Sequence, residues 1–433
     1  MQACRMRFQG SLFRLAAVAL LATLALAPAA TARVYTLDEC IEIALSENTT
    51  LEKAREDLRG AGADVMSSIS SVLPSISATL SRTDGLDVSS VRDDASTRGV
   101  RASIGASQTL FHGSAFAQIA GAYRGKTATE LSLEWTKRQV VFDVKQAYYG
   151  LLRAGQLRDV QQEALELARE QLRKTQSLYD LGSASRSDLL KAQVQVGESE
   201  LALIAAERSA ETARAGLALV IGIDVMTDIE PSDPPDESAE AEPAGFDVEQ
   251  AISSRPDIMA WEQTVVAAER SLLSAKAARW PDLSMSVGYS KNDETFGDLF
   301  DKLDDDYDRS VSLELSVPIF RGLSTKASID RGKSQLRSIK LSLKNARRNA
   351  AYEIENARLS VDEGRRSVDV SQAAVSSAGE DLKVSEERFR LRAASMLELI
   401  DARVAYSRAR AELVDARYNY EIAKAELRLA LGL

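Results

Sequence analysis

Two acidic residues late in the sequence have types and a spacing that could act on ions. Glu398 and Asp401 lie three residues apart, which places both carboxylates on one face of a helix. Two like charges about 7 Å apart repel each other by roughly 2 kcal/mol at an effective dielectric constant of about 20. A ring of such carboxylates around a pore favours cations and resists anions.

The same residues also have a structural explanation. Ser395 and Glu398 have the spacing of a capping box, in which each side chain bonds the other residue's backbone N–H at the start of a helix. Ser185 and Asp188 repeat this pattern in a looser form, so Asp188 is expected mainly as a cap. For Glu398, the sequence is compatible both with a role as a helix cap and with a role in an ion filter. Asp401 has no capping partner, so it either faces a pore or lies on a solvated helix face.

Other chemistry has little support in the sequence. His112 is the only histidine and is expected at a solvated corner, and Cys40 is expected to pack inside a helix. The sequence contains no cluster with metal-ligand spacing, no phosphate-binding loop and no pairing of a nucleophile with a base. We therefore expect no enzyme activity and no cofactor or metal.

The candidate ion site belongs to a segment that occurs twice. Residues Leu178–Gln193 recur 210 positions later as Arg388–Arg403, with a helical pattern running into and out of each copy. Around both copies, seam residues alternate at spacings of three and four, and large side chains alternate with small ones. This heptad pattern predicts long antiparallel helical hairpins of the coiled-coil type, at 113–222 and 321–431.

Segments with a period of two precede each hairpin. Apolar residues such as Ile76, Ala78 and Leu80 alternate with serine and threonine, which is typical of a β-strand with one apolar and one polar face. The predicted strands are 75–86, 98–111, 282–291 and 309–319. We expect a first repeat at 33–223, an acidic, proline-rich linker at 224–245, and a second repeat at 246–433, each repeat beginning with a helix.

The N-terminal residues predict export. Residues 1–32 have a basic start, a short apolar run and a small-residue cleavage site, so we expect a signal peptide cleaved after Ala32. Cys40 does not lie at the cleavage point, so no N-terminal lipid anchor is expected. The formal net charge of −10 argues against a nucleic-acid partner.

The four strands predict a place in a membrane. After residue 32 the sequence has no run of 18 apolar residues, so an exported membrane protein of this sequence must cross as β-strands. Four strands cannot close a barrel, and open strand edges do not occur in lipid, so the chain must oligomerise. Three copies would supply twelve strands. The alternative is a soluble sheet whose apolar face is covered by helices.

At this point the sequence resembles the TolC family of outer-membrane channel proteins. The resemblance covers the whole mature sequence, and its most specific parts are the first turn from Leu181 to Leu190, Phe320-Arg321-Gly322, and the stretch Ala411–Tyr420. It implies a mainly α fold with membrane β, in which two repeats of two strands and a hairpin trimerise into a 12-stranded β-barrel joined to a periplasmic α-helical barrel. It also implies partners in drug efflux or type I protein secretion, namely a periplasmic adaptor protein and an inner-membrane pump.

The resemblance also implies roles for individual residues. Glu398 and Asp401 match acidic positions that form the pore constriction. Asp188 matches a position that helps to hold the tip closed, and Arg392 stands at the tip where the family usually has glycine. The residues expected to face the adaptor are Leu181, Gly182, Ser183, Leu391, Ala393 and Ser395.

We therefore expect the exit duct of a tripartite efflux pump or type I secretion system, opened at its periplasmic tip by adaptor docking. The strongly acidic loop 292–308 should face the outside of the cell. The alternative is a periplasmic scaffold or adaptor, which is also built of long helical hairpins. A scaffold would not need four strands of membrane length.

Overall fold

The computed structural model describes residues 33–83, 99–232, 245–293, 295, 299 and 307–433. The predicted signal peptide, residues 233–244 of the predicted linker and most of the acidic loop 292–308 lie outside the described residues. The described residues divide into two compact units. The first comprises residues up to Asn48, Asp143–Ala241 and Glu363–Ile422, and the second comprises Thr49–Phe142, Glu242–Asp362 and Ala423–Leu433.

Helices form most of the described chain, and the two predicted hairpins are present as α3–α4 and α7–α8. The helices are α1 Leu37–Glu47, α2 Thr49–Ser70, α3 Gly113–Asp180, α4 Arg186–Ile221, α5 Val248–Ser254, α6 Pro256–Ala277, α7 Ser324–Arg390 and α8 Met396–Ala430. Within the described ranges, no helix combines the length and the apolar character that crossing a membrane requires.

Local sequence signals explain where several helices begin and end. Thr36 and Glu39 form a reciprocal capping box at the start of α1. Pro256 occupies the first turn of α6, where its missing N–H would have no helical partner. Gly222 ends α4 with a φ of 84°, a left-handed conformation that glycine adopts without a Cβ penalty.

Most residues of the predicted seams are buried or half-buried. In α8, Leu399 and Ala402 are buried within the first unit. In α7, Ile354, Ala357 and Val361 are buried within the second unit. These residues occupy alternating spacings of three and four, so the heptad pattern correctly identified the packed faces.

The strands form two sheets. The strands are β1 Arg33–Tyr35, β2 Ser75–Thr83, β3 Gly99–His112, β4 Ile229–Pro231, β5 Asp282–Asp293 and β6 Tyr307–Ser316. The larger sheet has the order β2-β3-β5-β6 with antiparallel neighbours, so the two strands at its centre come from different repeats. The smaller sheet pairs β1 with β4 in parallel.

The register of the larger sheet separates polar from apolar residues by rows. One row across the four strands consists of serines only: Ser75, Ser107, Ser286 and Ser312. The next row, on the opposite face, is apolar: Ile76, Ala106, Val287 and Val311. The serine row is linked by hydroxyl–hydroxyl hydrogen bonds of 2.8 Å between Ser75 and Ser107 and 2.6 Å between Ser286 and Ser312. The alternation in the sequence therefore becomes two chemically different faces.

The last strand of the larger sheet and the predicted linker differ in detail from the sequence analysis. The strand predicted at 309–319 ends at Ser316, because Pro318 has no N–H to donate and restricts the residue before it. Part of the predicted linker at 224–245 is ordered, because β4 pairs with β1 and Ile229 is buried. Tyr148 anchors this pair of strands: its hydroxyl donates to the backbone oxygen of Ser232 at 2.7 Å.

A buried arginine organises part of the second unit. The Arg255 side chain is 2% exposed and donates to both carboxylate oxygens of Asp257, at 3.0 and 2.9 Å. It also bonds Glu353 at 2.8 Å and the Ala430 backbone oxygen at 3.1 Å, and it stacks over the Trp135 ring at 4.5 Å. Burial disfavours the guanidinium charge, but the two carboxylates outweigh this effect and raise the pKa of Arg255 above its ordinary value. The last turn of α8 is thereby tied to the start of α6.

Candidate functional site

The turns between the long helices have the same backbone geometry. In the first turn Gly182 has a φ of 71°, and in the second Arg392 has a φ of 58°. The N–H of Ser183 donates to Leu178 at 2.7 Å, and the N–H of Ala393 donates to Arg388 at 2.7 Å. The residue numbers in the two turns differ by 210 throughout, so the duplication extends to individual hydrogen bonds.

Both turns expose apolar side chains. Leu181 is 78% exposed and Leu391 is 73% exposed. The other residues predicted to face an adaptor, Gly182, Ser183, Ala393 and Ser395, are exposed as well. The structure therefore places the six predicted docking residues at the two hairpin turns, three at each turn.

The two candidate tip-closure residues have different surroundings. Asp188 is half-buried and completes the capping box of α4, where its N–H donates to Ser185 Oγ at 3.1 Å. Its carboxylate accepts from the Ser185 hydroxyl at 2.7 Å. Arg392 is exposed; its backbone N–H donates to the Phe389 backbone oxygen at 3.0 Å, and its guanidinium forms no hydrogen bond or ion pair with any residue that the structure describes.

Glu398 and Asp401 both lie on the exposed side of α8. Glu398 completes a capping box, since its N–H donates to Ser395 Oγ at 3.2 Å and its carboxylate accepts from the Ser395 N–H at 3.4 Å. It also lies 3.4 Å from Arg388, a neighbour that the sequence analysis did not identify. The Asp401 carboxylate forms no ion pair or hydrogen bond within the described part of the chain. Arg388 therefore compensates Glu398, while the charge of Asp401 is uncompensated.

Residues that the sequence analysis missed join the two hairpins inside the first unit. Arg403 of α8 donates to the Leu167 backbone oxygen of α3 at 3.0 Å and to Glu386 of α7 at 2.9 Å. Arg410 of α8 pairs with Glu163 of α3. In both contacts with α3, the two bonded residues are more than 200 positions apart in the sequence, so no local pattern could have revealed these contacts.

A cavity of about 420 Å³ lies beside these cross-hairpin bonds. Its wall is mainly apolar and includes Ala168, Leu399 and Ile400, while Gln171 and Arg403 add polar groups. Gln171 is buried and donates to Thr175 at 3.3 Å. The packing of the four long helices is therefore incomplete near the tips.

The strand-to-helix corner contains hydrogen bonds that were not predicted. His112 shares a hydrogen bond of 2.5 Å with Asp282 on one ring nitrogen and is bonded to Ser114 on the other. His112 lies at the corner, as predicted, and its side chain is 39% exposed, but its bonds to Asp282 and Ser114 were not predicted. Ser114 is only 7% exposed, so its hydroxyl is not open to a substrate, and the bonds connect β3, β5 and α3.

Cys40 packs inside α1, as predicted. Its side chain is fully buried, and burial together with the negative charge of Glu39 raises the pKa of the thiol to about 11. Among the described residues, no group of three or more histidine, cysteine or acidic side chains could hold a metal ion.

Comparison with known proteins identifies the family. The family model of outer membrane efflux proteins matches residues 40–223 and 248–433. The outer membrane efflux protein BepC of Brucella suis is 23% identical over 359 residues, which cover 81% of this chain and 76% of that protein. The probable efflux pump outer membrane protein TtgC of Pseudomonas putida is 23% identical over 374 residues, covering 84% of this chain and 76% of that protein.

The fold agrees with the sequence match. The crystal structure of the outer membrane channel CmeC of Campylobacter jejuni superposes with a TM-score of 0.82 at 20% identity, covering 92% of this chain and 85% of that one. The family model covers each of the two repeats, including both hairpin turns with Leu181 and Leu391. The chain therefore belongs to the outer membrane efflux protein family, the TolC-like channels.

Proposed function

We propose that three copies of this protein form an outer-membrane exit duct that receives its cargo from an inner-membrane pump through a periplasmic adaptor. Family membership supports the efflux role. The larger sheet is the observation that carries the assembly. It presents an apolar face, a serine-rich face and two unpaired edge strands, β2 and β6.

Neither water nor lipid alone suits such a sheet. Every residue of β2 is exposed, and apolar side chains such as Ile76, Val311 and Leu313 are more than 60% exposed. Lipid would cover these side chains, but the edges of β2 and β6 would keep unpaired backbone groups. Pairing β6 of one copy with β2 of the next satisfies both edges, and three copies close twelve strands with the serine rows facing a wet lumen.

The mass of the particle extracted from outer membranes by mild detergent tests this proposal. We expect three chains per particle and ion conductance after reconstitution into planar bilayers. The control is a chain with Val311→Pro, which interrupts the exposed edge of β6 and should yield monomers. A wild-type monomer, or recovery only in the soluble periplasmic fraction, would favour the periplasmic scaffold instead.

At the periplasmic end, we propose that the exposed turns dock an adaptor and that the acidic side chains restrict the closed mouth. Leu181 and Leu391 provide the apolar part of the docking surface, since the described chain leaves them uncovered. Asp401, whose charge is uncompensated, contributes more to cation preference than Glu398, which Arg388 neutralises.

Bilayer recordings distinguish these carboxylates. We expect Asp401→Asn to lower the cation-to-anion permeability ratio more than Glu398→Gln, and the double variant to lower it most. Glu412→Gln is a suitable control, because that carboxylate lies on α8 but pairs with Arg408 at 2.9 Å. Unchanged selectivity in the double variant would remove both residues from the constriction.

The export signal and the repeat boundaries are also part of the proposal. Cleavage after Ala32 would leave a mature chain that starts at Arg33, with repeats at 33–223 and 246–433. Mass spectrometry of the N-terminal peptide from purified outer membranes tests the cleavage site. A lipid-modified or uncleaved N-terminus would contradict it.

A further inference from the structure

The second hairpin turn has an unusual residue at its left-handed position. Arg392 has a φ of 58° and is the only described residue other than glycine with a positive φ. For a residue with a side chain, this conformation brings Cβ close to the backbone, which is why glycine usually occupies it. The first turn has glycine there, at Gly182, with otherwise equivalent hydrogen bonds. Arg392 thus keeps a strained backbone that the same protein avoids in its other copy.

The two turns also differ in charge. Arg388, Arg390 and Arg392 occupy the positions that hold Leu178, Asp180 and Gly182 in the first copy. Arg388 lies 3.4 Å from Glu398, and Arg390 pairs with Glu387. Arg392 is exposed, and its guanidinium has no partner among the described residues. The second turn therefore presents one uncompensated guanidinium beside the exposed Leu391.

We propose that Arg392 is a docking residue, and that the partner at the second hairpin turn presents a carboxylate to it next to an apolar contact for Leu391. This inference rests on the proposed adaptor docking and adds the chemistry of the partner. A guanidinium binds a carboxylate through two parallel hydrogen bonds, which gives both direction and selectivity. A single charge of this kind at a small interface discriminates between partners more than it adds affinity. The first turn, with Gly182 and no arginine, makes only the apolar contact.

The proposal can be tested by zero-length crosslinking in the native envelope. A carbodiimide joins a lysine amine to a carboxylate in direct contact, with loss of water, and does not couple arginine. In cells that carry Arg392→Lys, we expect an amide between residue 392 and an aspartate or glutamate in the loop between two helices of a periplasmic partner. Arg390→Lys is the internal control, because it should couple to Glu387 of the same chain.

Co-purification of that crosslinked partner then measures the contribution of the charge. We expect Arg392→Glu to lower partner recovery about tenfold, whereas Arg390→Ser should leave it nearly unchanged. Arg392→Gly should also lower recovery, although glycine relieves the backbone strain. Thermal unfolding of each purified variant shows whether a loss of binding results from a loss of folding stability.

Different outcomes separate this inference from the docking proposal. If the partner is recovered equally well with Arg392→Glu, and Leu181→Ala with Leu391→Ala abolishes recovery, docking stands and the role of Arg392 is refuted. If residue 392 couples to a carboxylate of a neighbouring copy, or if Arg392→Gly raises ion conductance without partner, Arg392 holds the tip closed instead. If the wild-type turns capture no periplasmic protein and the leucine variants change nothing, the docking proposal fails as well.

Discussion

Replacing Arg255 with methionine should loosen one region of the second unit. Methionine keeps much of the length of the side chain but removes its charge and all its donors. The Asp257 carboxylate, 24% exposed, would lose its partner, and the Ala430 backbone oxygen would lose a hydrogen bond. Breaking a buried ion pair by removing one partner costs about 3–5 kcal/mol. Since each 1.4 kcal/mol is about a tenfold change, local opening should become roughly 10²-fold to 4 × 10³-fold more frequent.

Amide hydrogen exchange measured by mass spectrometry is the appropriate assay, because it reports local opening in the assembled protein. Exchange should accelerate in peptides from α5, from the start of α6 and from residues 424–433. Arg358→Met is the matched control on α7: Arg358 pairs with Glu355 at 2.7 Å, but both side chains are about half exposed. Exposed pairs contribute little, so this variant should exchange like the wild type. The reasoning is refuted if Arg255→Met also exchanges like the wild type in these peptides.

Three further predictions concern the first unit. Cys40 should react with maleimide only after unfolding. Because the thiol pKa is raised in the folded protein, the free energy of unfolding should be highest below about pH 9 and should fall by roughly 2–3 kcal/mol in all as the pH rises towards 11. Gly222→Ala should destabilise by at least about 1–2 kcal/mol, because φ is 84° and the new Cβ would lie 2.6 Å from the Glu47 backbone oxygen. Arg403→Met should weaken the contact between the hairpins by about 1–3 kcal/mol, seen as faster hydrogen exchange near the tips.

Each of these has its own control. Cys40 labelling in the native protein at the rate of a free thiol would show that the side chain is accessible. Gly197→Ala tests the glycine argument, because Gly197 lies within α4 with nothing near a new Cβ, and alanine should stabilise the helix by about 0.5–1 kcal/mol. Arg408→Met, at an exposed pair on the same helix as Arg403, should leave exchange near the tips unchanged.

Local pattern was sufficient to predict the long helices and the four strands of the larger sheet, but not the pairing of β1 with β4. The alternation around Ile76 and the seam around Ile354 depend only on residues a few positions apart, and both give the correct faces. The paired turns were predictable because the segment is duplicated. The strand predicted to end at residue 319 ends three residues earlier, at Ser316, because Pro318 restricts the residue before it.

Contacts between distant segments could not be predicted in this way. His112 meets Asp282 because β3 pairs with β5, and no periodicity within either strand specifies that pairing. The Arg388–Glu398 pair requires the turn to bring two helices together, so the sequence suggested a bare carboxylate where the structure has a compensated one. The conformation of Arg392 depends on a turn whose geometry the first copy shows with glycine.

Because β2 and β6 have unpaired edges, a variant chain can affect wild-type chains that are made in the same cell. In the proposed ring of three, each copy pairs with the edge strands of its neighbours. One chain with a blocked edge therefore prevents closure of the ring that it enters. With equal amounts of intact and blocked chains, random mixing would leave only about one ring in eight fully intact. A variant chain that has one blocked edge but still enters the ring would therefore inactivate rings that also contain wild-type chains, whereas a deletion would merely halve the supply of rings.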